Sequence, residues 1–458
     1  MSNVTINPTT GELVKSFDAH SEAEVEALLD RAAAANVDLR RTTVEQRADW
    51  MRTAADLLEA DRDELAVVVV TEMGKTRASA EAEITKCAKA MRFYAHQAAG
   101  FLADEPVADP GEVNASSARV IYQPLGTVLA IMPWNFPVWQ VVRFAAPGLM
   151  AGNTGVLKHA LNVPQTALYL GDLFTRAGFP TGAFQTVLVD GVDASRLIED
   201  PRIAAVTLTG SVPAGHAVGG KAGSVLKKTV LELGGSDAFI VLPSADLARA
   251  VEVGVTARTQ NSGQSCIAAK RFFVHTDIYD EFAARFSEAM AATVTGDPYD
   301  PATTFGPLAT ERGRNGVHSL VEDAADKGAT VLVGGKIPDG PGWFYPATVV
   351  ADITPEMRLF SEECFGPVAA LYRVSSIDDA IAAANDSEFG LSSNAWTNDE
   401  AEIEQLTREI QAGGVFVNGM TVSFPQLPFG GIKSSGYGRE LSVHGIREFC
   451  NVKTVWRA

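Results

Sequence analysis

The chain has 458 residues, of which 46% are hydrophobic and 21% charged, the balance of a soluble globular protein with about three domain-sized units. Its 38 basic and 56 acidic side chains give a net charge of −18 without any basic run, which argues against nucleic-acid binding. The longest aliphatic stretch, Leu65–Val70, is too short to span a membrane, and the polar residues 1–12 do not resemble a secretory signal.

The first hundred residues are predicted to be helical. Two capping boxes precede apolar residues at helical spacing, and a third helix is predicted over 77–100. The boxes pair Ser21 with Glu24 and Thr43 with Gln46. A segment rich in proline and acidic residues, 105–111, follows and is a candidate domain boundary.

From residue 128 onward, short apolar runs alternate with helix-like segments, which is typical of a parallel sheet with crossover helices. The first group of predicted strands is 128–132, 155–158, 186–189, 204–209 and 229–233. The second group is 239–242, 272–275, 330–333, 368–373 and 414–418, with a final strand over 451–456. We therefore predict an α/β fold whose ligands bind beyond the carboxyl ends of the strands.

The four cysteines are far apart, and no two of them have the spacing of a zinc or thioredoxin-type motif. They are Cys87, Cys266, Cys364 and Cys450. We expect free thiols in a reducing compartment, and hence a cytoplasmic location. The seven histidines are also scattered, so the sequence predicts no metal site.

A candidate anion-binding turn follows the predicted strand 204–209. The usual GxGxxG fingerprint of dinucleotide-binding proteins is missing, but Gly210, Ser211 and Gly215 occur here. A strand followed by Gly-Ser and a helix start presents N–H groups and a hydroxyl to an anion. An ordinary strand-to-helix turn has the same pattern, so the motif alone does not decide.

Three further motifs carry groups suited to covalent chemistry at a carbonyl. Cys266 follows a polar loop at a predicted helix start, which would depress the pKa of its thiol, unless it is simply a buried core cysteine. Glu232 lies in an apolar strand, where burial would raise its pKa and suit a general base, unless it is an exposed edge residue. Asn135, within the Pro- and aromatic-rich segment 133–137, could donate to an oxyanion or belong to a structural turn. Together these groups form the set that covalent attack on a carbonyl requires.

With these motifs, the sequence resembles the aldehyde dehydrogenase superfamily and is most similar to its succinate-semialdehyde dehydrogenases. The matching stretches are Pro133–Pro137, Lys158, Gly210–Ser211, Glu232–Gly235, Gly263–Cys266, Glu363–Pro367, Asn418 and Pro428–Gly436. The resemblance implies that Cys266 attacks an aldehyde and that the Asn135 amide and the Cys266 backbone N–H hold the oxyanion. It also implies that Glu232 activates the water that hydrolyses the resulting thioester. Cys364 matches no catalytic position of the family.

The resemblance further implies a dinucleotide cofactor. Lys158 resembles the family lysine at the adenine ribose, and Trp134 and Ser211, beside Gly210 and Gly215, resemble groups that line the pyrophosphate. Glu363 and Phe365 resemble the residues at the nicotinamide ribose and ring. These residues are Trp134, Lys158, Gly210, Ser211, Gly215, Glu363 and Phe365.

The residue three positions after Lys158 bears on the choice of cofactor. Family members that prefer NAD usually carry a glutamate there, whose carboxylate would repel a 2′-phosphate. Here the position is Leu161, so we expect NADP, with NAD possible. His159 is either an additional phosphate ligand or a structural histidine.

For the substrate, the segment with Trp139 and Arg143 resembles succinate-semialdehyde dehydrogenases, in which an arginine here and a serine near Ser423 bind the far carboxylate. An arginine fork suits a carboxylate well, although a surface salt bridge is the alternative for Arg143. The expected reaction is NAD(P)-dependent oxidation of succinate semialdehyde to succinate. The alternatives are another small aliphatic or hydroxy aldehyde, and a catalytically silent structural member of the fold.

The resemblance also implies the organisation of the chain: an aldehyde dehydrogenase-like fold of two α/β parallel-sheet domains and a small β oligomerisation element. The cofactor-binding domain would be 1–105 with 125–233, the catalytic domain 234–435, and the oligomerisation element 106–124 with 436–458. The expected partners are a small-molecule aldehyde and further copies of the chain in a homodimer or homotetramer, with no nucleic acid and no membrane.

Overall fold

The chain begins with a β-hairpin and four helices, in a computed structural model that describes residues 3–458. These elements are β1 (Asn3–Ile6), β2 (Leu13–Phe17), α1 (Glu22–Leu39), α2 (Val44–Ala60), α3 (Arg62–Met73) and α4 (Arg77–Phe101). Both predicted capping boxes are present, on α1 and α2. The hairpin contradicts the prediction that the first hundred residues are helical. Helix α3 was not predicted, because its continuous apolar run lacks a helical period.

The next part of the chain contains two strands of a small sheet and most of the first parallel sheet. These elements are β3 (Glu105–Pro106), β4 (Ser117–Pro124), β5 (Thr127–Met132), α5 (Trp139–Ala151), β6 (Thr154–His159), α6 (Pro164–Arg176), β7 (Phe184–Thr186), α7 (Gly191–Glu199), β8 (Ile203–Thr209), α8 (Val212–Ser224) and β9 (Lys228–Glu232). The parallel strands lie in the order β9-β8-β5-β6-β7. The strand predicted over 186–189 is misplaced, because β7 ends at Thr186 and the chain then turns toward α7.

A second sheet is built from the following part of the chain. Its elements and those packed on it are β10 (Ala238–Val241), α9 (Leu247–Thr259), β11 (Arg271–His275), α10 (Thr276–Ala291), α11 (Glu311–Asp326), β12 (Thr330–Val333), β13 (Thr348–Ala351), α12 (Arg358–Ser361), β14 (Val368–Val374), α13 (Ile377–Asn385), β15 (Phe389–Gly390), β16 (Ser393–Trp396), α14 (Glu400–Glu409) and β17 (Val415–Val417). The strand order is β12-β13-β14-β11-β10-β16-β17, with only β12 antiparallel to its neighbour among these described strands. Strands β13 and β16 were not predicted; each is four residues long and completely buried.

The C-terminal segment joins both the first sheet and the small sheet. Its elements are β18 (Ile432–Lys433), β19 (Gly436–Tyr437), α15 (Ser442–Glu448) and β20 (Cys450–Arg457). Strand β20 pairs with β4 along its whole length in the antiparallel sheet β20-β4-β3, whereas β19 pairs with β9. The small sheet therefore takes only part of the segment 436–458, and the proposed domain boundaries stay a prediction. Within residues 3–458, none of the helices is long and apolar enough to cross a membrane.

Segments next to the strands of the two large sheets form hydrogen bonds with each other at the candidate site. The first sheet contributes the carboxyl ends of its strands, because the segment 133–137 follows β5, Ser211 follows β8, and Glu232 ends β9. The second sheet contributes the amino ends of its strands, since Cys266 precedes β11 and Glu363 precedes β14. The rule that ligands bind at carboxyl ends thus predicts only the first half of this site.

Candidate active site

Cys266 lies in a tight loop between α9 and β11. Asn261, Ser262 and Gly263 have consecutive positive φ angles of 56°, 57° and 72°, a left-handed run that non-glycine residues rarely adopt. A Cβ at Gly263 would overlap the backbone of Gly366, so the loop packs directly on the segment before β14. The chain reverses here in a turn, and the predicted helix start at Cys266 is wrong.

The Cys266 side chain is largely enclosed but keeps some contact with solvent. Burial raises the pKa of its thiol to about 12, and the nearby cations Arg143 and Lys270 only partly oppose that shift. The predicted depression of this pKa is wrong, because Cys266 follows a turn and not a helix start. The sulfur is therefore a neutral thiol that must lose its proton before it can attack.

Lys270 holds the nucleophile loop in place. Its buried ammonium donates to the carbonyl oxygens of Ser265, Cys266 and Ala268 at 3.0, 2.9 and 3.2 Å. It also lies 3.4 Å from the carboxylate of Glu363. One cation thus fixes both the loop of the nucleophile and a predicted cofactor ligand. Lys270 could not be recognised from the sequence, because only the folded chain shows its contact with Glu363.

Asn135 binds to the nucleophile loop from the first sheet. Its Nδ2 donates to the backbone carbonyl of Gln264 at 3.1 Å, and the backbone carbonyl of Asn135 accepts from Asn261 Nδ2 at 2.8 Å. The Cys266 backbone N–H forms no hydrogen bond with residues 3–458, and the Asn135 amide has a second N–H to donate. This arrangement fits the predicted oxyanion role, which stays a prediction.

A buried carboxylate from α4 fixes the start of α5. Glu83 Oε1 accepts from the backbone N–H groups of Val138 and Trp139, each at 2.9 Å. It thereby caps α5, whose N-cap residue Val138 makes no side-chain capping hydrogen bond. Lys75 forms an ion pair with Glu83, and its ammonium lies 4.2 Å from the centre of the Phe136 ring. The pair therefore stabilises the segment that carries the oxyanion donor.

Glu232 is enclosed at the end of β9. Its side chain is 2% exposed, and neither carboxylate oxygen has a hydrogen-bond partner among the described residues. Burial and then the nearby Glu440 raise the pKa of this carboxyl well above its ordinary value, while Arg143 and Arg439 oppose the shift. Glu232 is thus not an exposed edge residue. Its pKa shifts in the direction predicted for a buried base.

Arg143 has a different environment from the one predicted. It is 2% exposed and forms an ion pair with Glu440, a carboxylate that the sequence analysis did not single out. Its guanidinium also donates to Thr209 Oγ1 at 3.3 Å and lies 4.6 Å from the centre of the Phe429 ring. The Glu440 carboxylate therefore competes with a substrate carboxylate for Arg143, whose role at the substrate stays a prediction. The surface-salt-bridge alternative is wrong, because both partners are buried.

The candidate anion site lies at the carboxyl edge of the first sheet. Ser211 caps α8, and its side chain accepts from the backbone N–H of Ala214 at 3.4 Å. Gly210 connects this cap to β8. Gly215 is buried, and a Cβ there would overlap the Leu233 side chain, so close packing requires the glycine. Packing explains Gly215 without the cofactor contact that was predicted.

Lys158 is the cation at the same edge. Its side chain is half-buried, forms no ion pair with the described residues, and has a pKa lowered by burial, with Asp190 opposing the shift. Leu161 lies half-buried in the turn that follows β6. A cation with no carboxylate partner beside an uncharged leucine fits a phosphate-bearing cofactor.

His159 is structural. It is 4% exposed, and its ring nitrogens lie 3.2 Å from the Met132 carbonyl oxygen and 2.9 Å from that of Pro137. Burial lowers the pKa of its imidazole to about 4, so the ring is neutral at physiological pH. The alternative that His159 binds a phosphate is therefore wrong.

Glu363 and Phe365 face the first sheet from the second. Glu363 Oε1 accepts from the Gly235 backbone N–H at 3.1 Å. Phe365 packs edge-on against Trp134, with ring centres 5.8 Å apart and an interplanar angle of 90°. Together with Ser211, these groups provide a helix N-terminus, a carboxylate and aromatic faces, a set that fits a dinucleotide.

Trp139 and Ser423, two predicted substrate ligands, are in contact. Ser423 Oγ accepts from Trp139 Nε1 at 3.0 Å and from Lys86 Nζ at 2.9 Å. Lys86 could not be recognised from the sequence, because this residue of α4 lies more than three hundred residues before Ser423. The structure therefore brings a cation to the predicted serine, but this cation is Lys86 and not Arg143.

Comparison with known proteins gives consistent matches over the whole chain. The sequence profile of the aldehyde dehydrogenase family matches residues 2–455. An NADP-dependent succinate-semialdehyde dehydrogenase of Mycobacterium avium is 62% identical over 457 residues, covering 100% of this chain and 97% of that protein. An aldehyde dehydrogenase of Paenarthrobacter nicotinovorans is 60% identical over 456 residues, with 100% of both chains covered. Among solved structures, succinic semialdehyde dehydrogenase of Streptococcus pyogenes in complex with NADP+ matches with a TM-score of 0.96, 36% identity and 99% of each chain covered.

Proposed function

The chain belongs to the aldehyde dehydrogenase family, and from that premise we propose that it oxidises succinate semialdehyde to succinate with NADP as hydride acceptor. The observation that carries the proposal is the 62% identity over the whole chain with the Mycobacterium avium enzyme of that activity. The geometry of Cys266, Asn135 and Glu232 supports it, because Asn135 donates to the loop that carries Cys266 and Glu232 is an enclosed carboxylate without a hydrogen-bond partner at the end of β9. It also argues against a catalytically silent member of the fold.

The first half of the reaction is carried by Cys266 and Asn135. The Cys266 thiol, which keeps some contact with solvent, gives its proton to water, and the sulfur then attacks the aldehyde carbon to form a C–S bond and a tetrahedral oxyanion. The Asn135 amide and the Cys266 backbone N–H are placed to stabilise that oxyanion. The bound cofactor supplies the nicotinamide ring that accepts hydride.

The second half is hydrolysis of the thioester at Cys266, and we assign it to Glu232. Its unpartnered carboxylate takes a proton from water, and the resulting hydroxide attacks the thioester carbon. The C–S bond breaks, the acid leaves, and the Cys266 sulfur is released for the next turnover. Because burial raises the pKa of Glu232, we expect this half-reaction to become faster as the pH rises and the carboxyl ionises.

A comparison of matched substrates tests the proposed function. Succinate semialdehyde and butanal have the same number of carbons and differ in the terminal carboxylate. We expect kcat/KM for the semialdehyde to exceed that for butanal by about 100-fold or more, because a buried charged contact is lost with butanal. Initial rates of NADPH formation across C2–C8 aldehydes measure this ratio. Another aldehyde with a clearly higher kcat/KM would contradict the substrate assignment.

The cofactor preference is proposed to depend on the uncharged residue at position 161. We expect Leu161→Glu to raise the KM for NADP by about tenfold or more and to leave the KM for NAD nearly unchanged, because the new carboxylate repels a 2′-phosphate. Leu161→Gln is the matched control of the same shape without charge, and it should keep the preference for NADP. Initial rates with both cofactors give these values. Equal effects of both substitutions would contradict the electrostatic explanation.

We further propose that the chain forms a homodimer or homotetramer through the small sheet. Strand β20 lies at the edge of that sheet, and its Val452 and Trp456 side chains are 61% and 51% exposed. An edge strand with exposed apolar side chains favours pairing with another chain. Light scattering coupled to gel filtration measures the mass directly, and a monomer at micromolar concentration would contradict this proposal.

A cytoplasmic location is also proposed. All four cysteines are free thiols, and three of them are buried, as expected for a protein kept in a reducing compartment. Fractionation of the producing cells, followed by the NADPH assay, tests the location. Activity confined to a secreted fraction would contradict it.

A further inference from the structure

Lys86, Trp139 and Ser423 form a cluster between α4, α5 and the loop after β17 that has more hydrogen-bond donors than acceptors. Ser423 and Trp139 are 4% and 3% exposed, and Ser423 Oγ already accepts from both Trp139 Nε1 and Lys86 Nζ. Lysine and the indole nitrogen only donate, so two Lys86 N–H groups and the Ser423 hydroxyl hydrogen remain to be satisfied. The two oxygens of a carboxylate provide the acceptors that this cluster lacks.

The other charged groups near this cluster are already paired. Glu83 forms an ion pair with Lys75, and Arg143 forms one with Glu440. Lys86 forms no ion pair with residues 3–458, and its ammonium lies over the Trp139 ring, 4.1 Å from its centre. One positive charge is therefore left uncompensated beside a buried serine.

Burial makes an anionic ligand favourable here. Desolvation lowers the pKa of the Lys86 ammonium to about 8; the Cys87 thiol opposes this shift and the Arg143 guanidinium adds to it. A half-buried ammonium has lost part of its hydration, and a carboxylate restores the lost interaction through a charge-assisted hydrogen bond.

The cluster also lies near the nucleophile. Trp139 and Arg143 are one helical turn apart on α5, so they share one face of that helix. Trp139 also lies four residues after Asn135, whose Nδ2 donates to the Gln264 carbonyl two residues before Cys266. The helix that carries the cluster is thus joined to the nucleophile loop, an arrangement suited to a short substrate with an aldehyde at one end and a carboxylate at the other.

We propose that Lys86, together with Ser423, binds the distal carboxylate of the substrate and determines the preference for a semialdehyde over an uncharged aldehyde. Lys86 takes the role that the sequence predicted for Arg143. The inference rests on the proposed function, since it names the group that recognises the charged end of succinate semialdehyde. Other substrates with a carboxylate at a similar distance from the aldehyde would use the same contact.

Substitution of Lys86 by methionine tests this role. We expect Lys86→Met to raise the KM for succinate semialdehyde by about 10- to 100-fold, with little change in kcat, and to leave the KM for butanal within about twofold. Lys86→Arg keeps the charge and should restore much of the affinity. Lys89→Met is the matched control, because Lys89 lies three residues further along α4 with an exposed side chain. Thermal unfolding of each variant confirms that it is folded.

Product inhibition provides a readout that a purely structural role would not change. Succinate has a distal carboxylate and butanoate lacks one, so Lys86→Met should weaken inhibition by succinate and leave inhibition by butanoate unchanged. An equal rise in KM for both aldehydes in Lys86→Met, or an unchanged KM for the semialdehyde, would overturn the role of Lys86. If the wild-type protein itself shows no preference for the semialdehyde over butanal, the proposed function fails; if the wild type prefers it and Lys86→Met retains that preference, only the present inference fails.

Discussion

Replacement of Cys266 by serine is expected to lower kcat/KM for aldehyde oxidation by at least about 10⁴-fold. The hydroxyl occupies nearly the same space as the thiol, but it loses its proton far less readily and is a poor nucleophile at neutral pH. Without the C–S bond, the aldehyde carbon stays trigonal and does not release hydride. The carbonyl contacts of Lys270 with the loop do not involve the Cys266 side chain, so the loop should keep its conformation.

NADPH formation measures the loss of activity, and thermal unfolding and cofactor binding by fluorescence show that the variant remains folded. Cys450→Ser is the matched control. The Cys450 Sγ donates to the Ile446 carbonyl at 3.4 Å in the C-terminal segment, a contact that a serine hydroxyl can replace. This control should keep its activity within about threefold, since Cys450 is only a packed thiol. If Cys266→Ser retained a tenth of the wild-type rate, Cys266 would not be the nucleophile.

The structural features that short motifs carry could be predicted from the sequence. The two capping boxes and most strands of both sheets lie where the local pattern placed them. The candidate residues Asn135, Glu232 and Cys266 also occur in short segments with unusual local composition, which made them recognisable without the fold. The parallel order of the first sheet places Asn135 and Glu232 at the carboxyl ends of its strands, whereas Cys266 precedes β11 of the second sheet and does not follow from that rule.

The partners of these residues could not be predicted, because they depend on contacts between distant parts of the chain. Glu440 and Lys270 carry no motif, yet they neutralise Arg143 and anchor the nucleophile loop. Lys86 reaches Ser423 across more than three hundred residues. Arg143 shows the same limit: an arginine suits a carboxylate, but the sequence does not show that a carboxylate of the chain itself already pairs with it.

The error on the pKa of Cys266 has a local origin. The sequence placed the residue after a glycine-containing loop, which suggested a helix N-terminus and a stabilised thiolate. Asn261 and Ser262 adopt left-handed conformations that are rare for residues with a side chain, so the chain forms a turn there that propensities do not predict. Burial then dominates over the nearby cations and raises the thiol pKa.

Replacement of Glu232 by glutamine is expected to separate the two halves of the reaction. Glutamine keeps the shape of the side chain but takes up no proton, so hydrolysis of the thioester should slow by about 10³-fold while its formation continues. Rapid mixing should therefore show a burst of about one NADPH per active site, followed by a very slow steady rate. Intact-protein mass spectrometry should detect the acyl group on Cys266. A steady rate near that of the wild type would show that another group activates the water.

Glu440→Gln is the matched control, and it is expected to change the pH dependence without removing the base. The buried Glu440 carboxylate raises the pKa of Glu232, after the larger effect of burial, and it also pairs with Arg143. Its replacement removes a negative neighbour and leaves Arg143 free to favour the ionised form of Glu232, so both effects lower the pKa of the base. The rise of the steady rate with pH should therefore move to lower pH in Glu440→Gln, whereas Glu232→Gln should lose that rise. An unchanged pH dependence would mean that Glu440 does not act on Glu232 through its charge, and that the elevated pKa of the base is caused by burial alone.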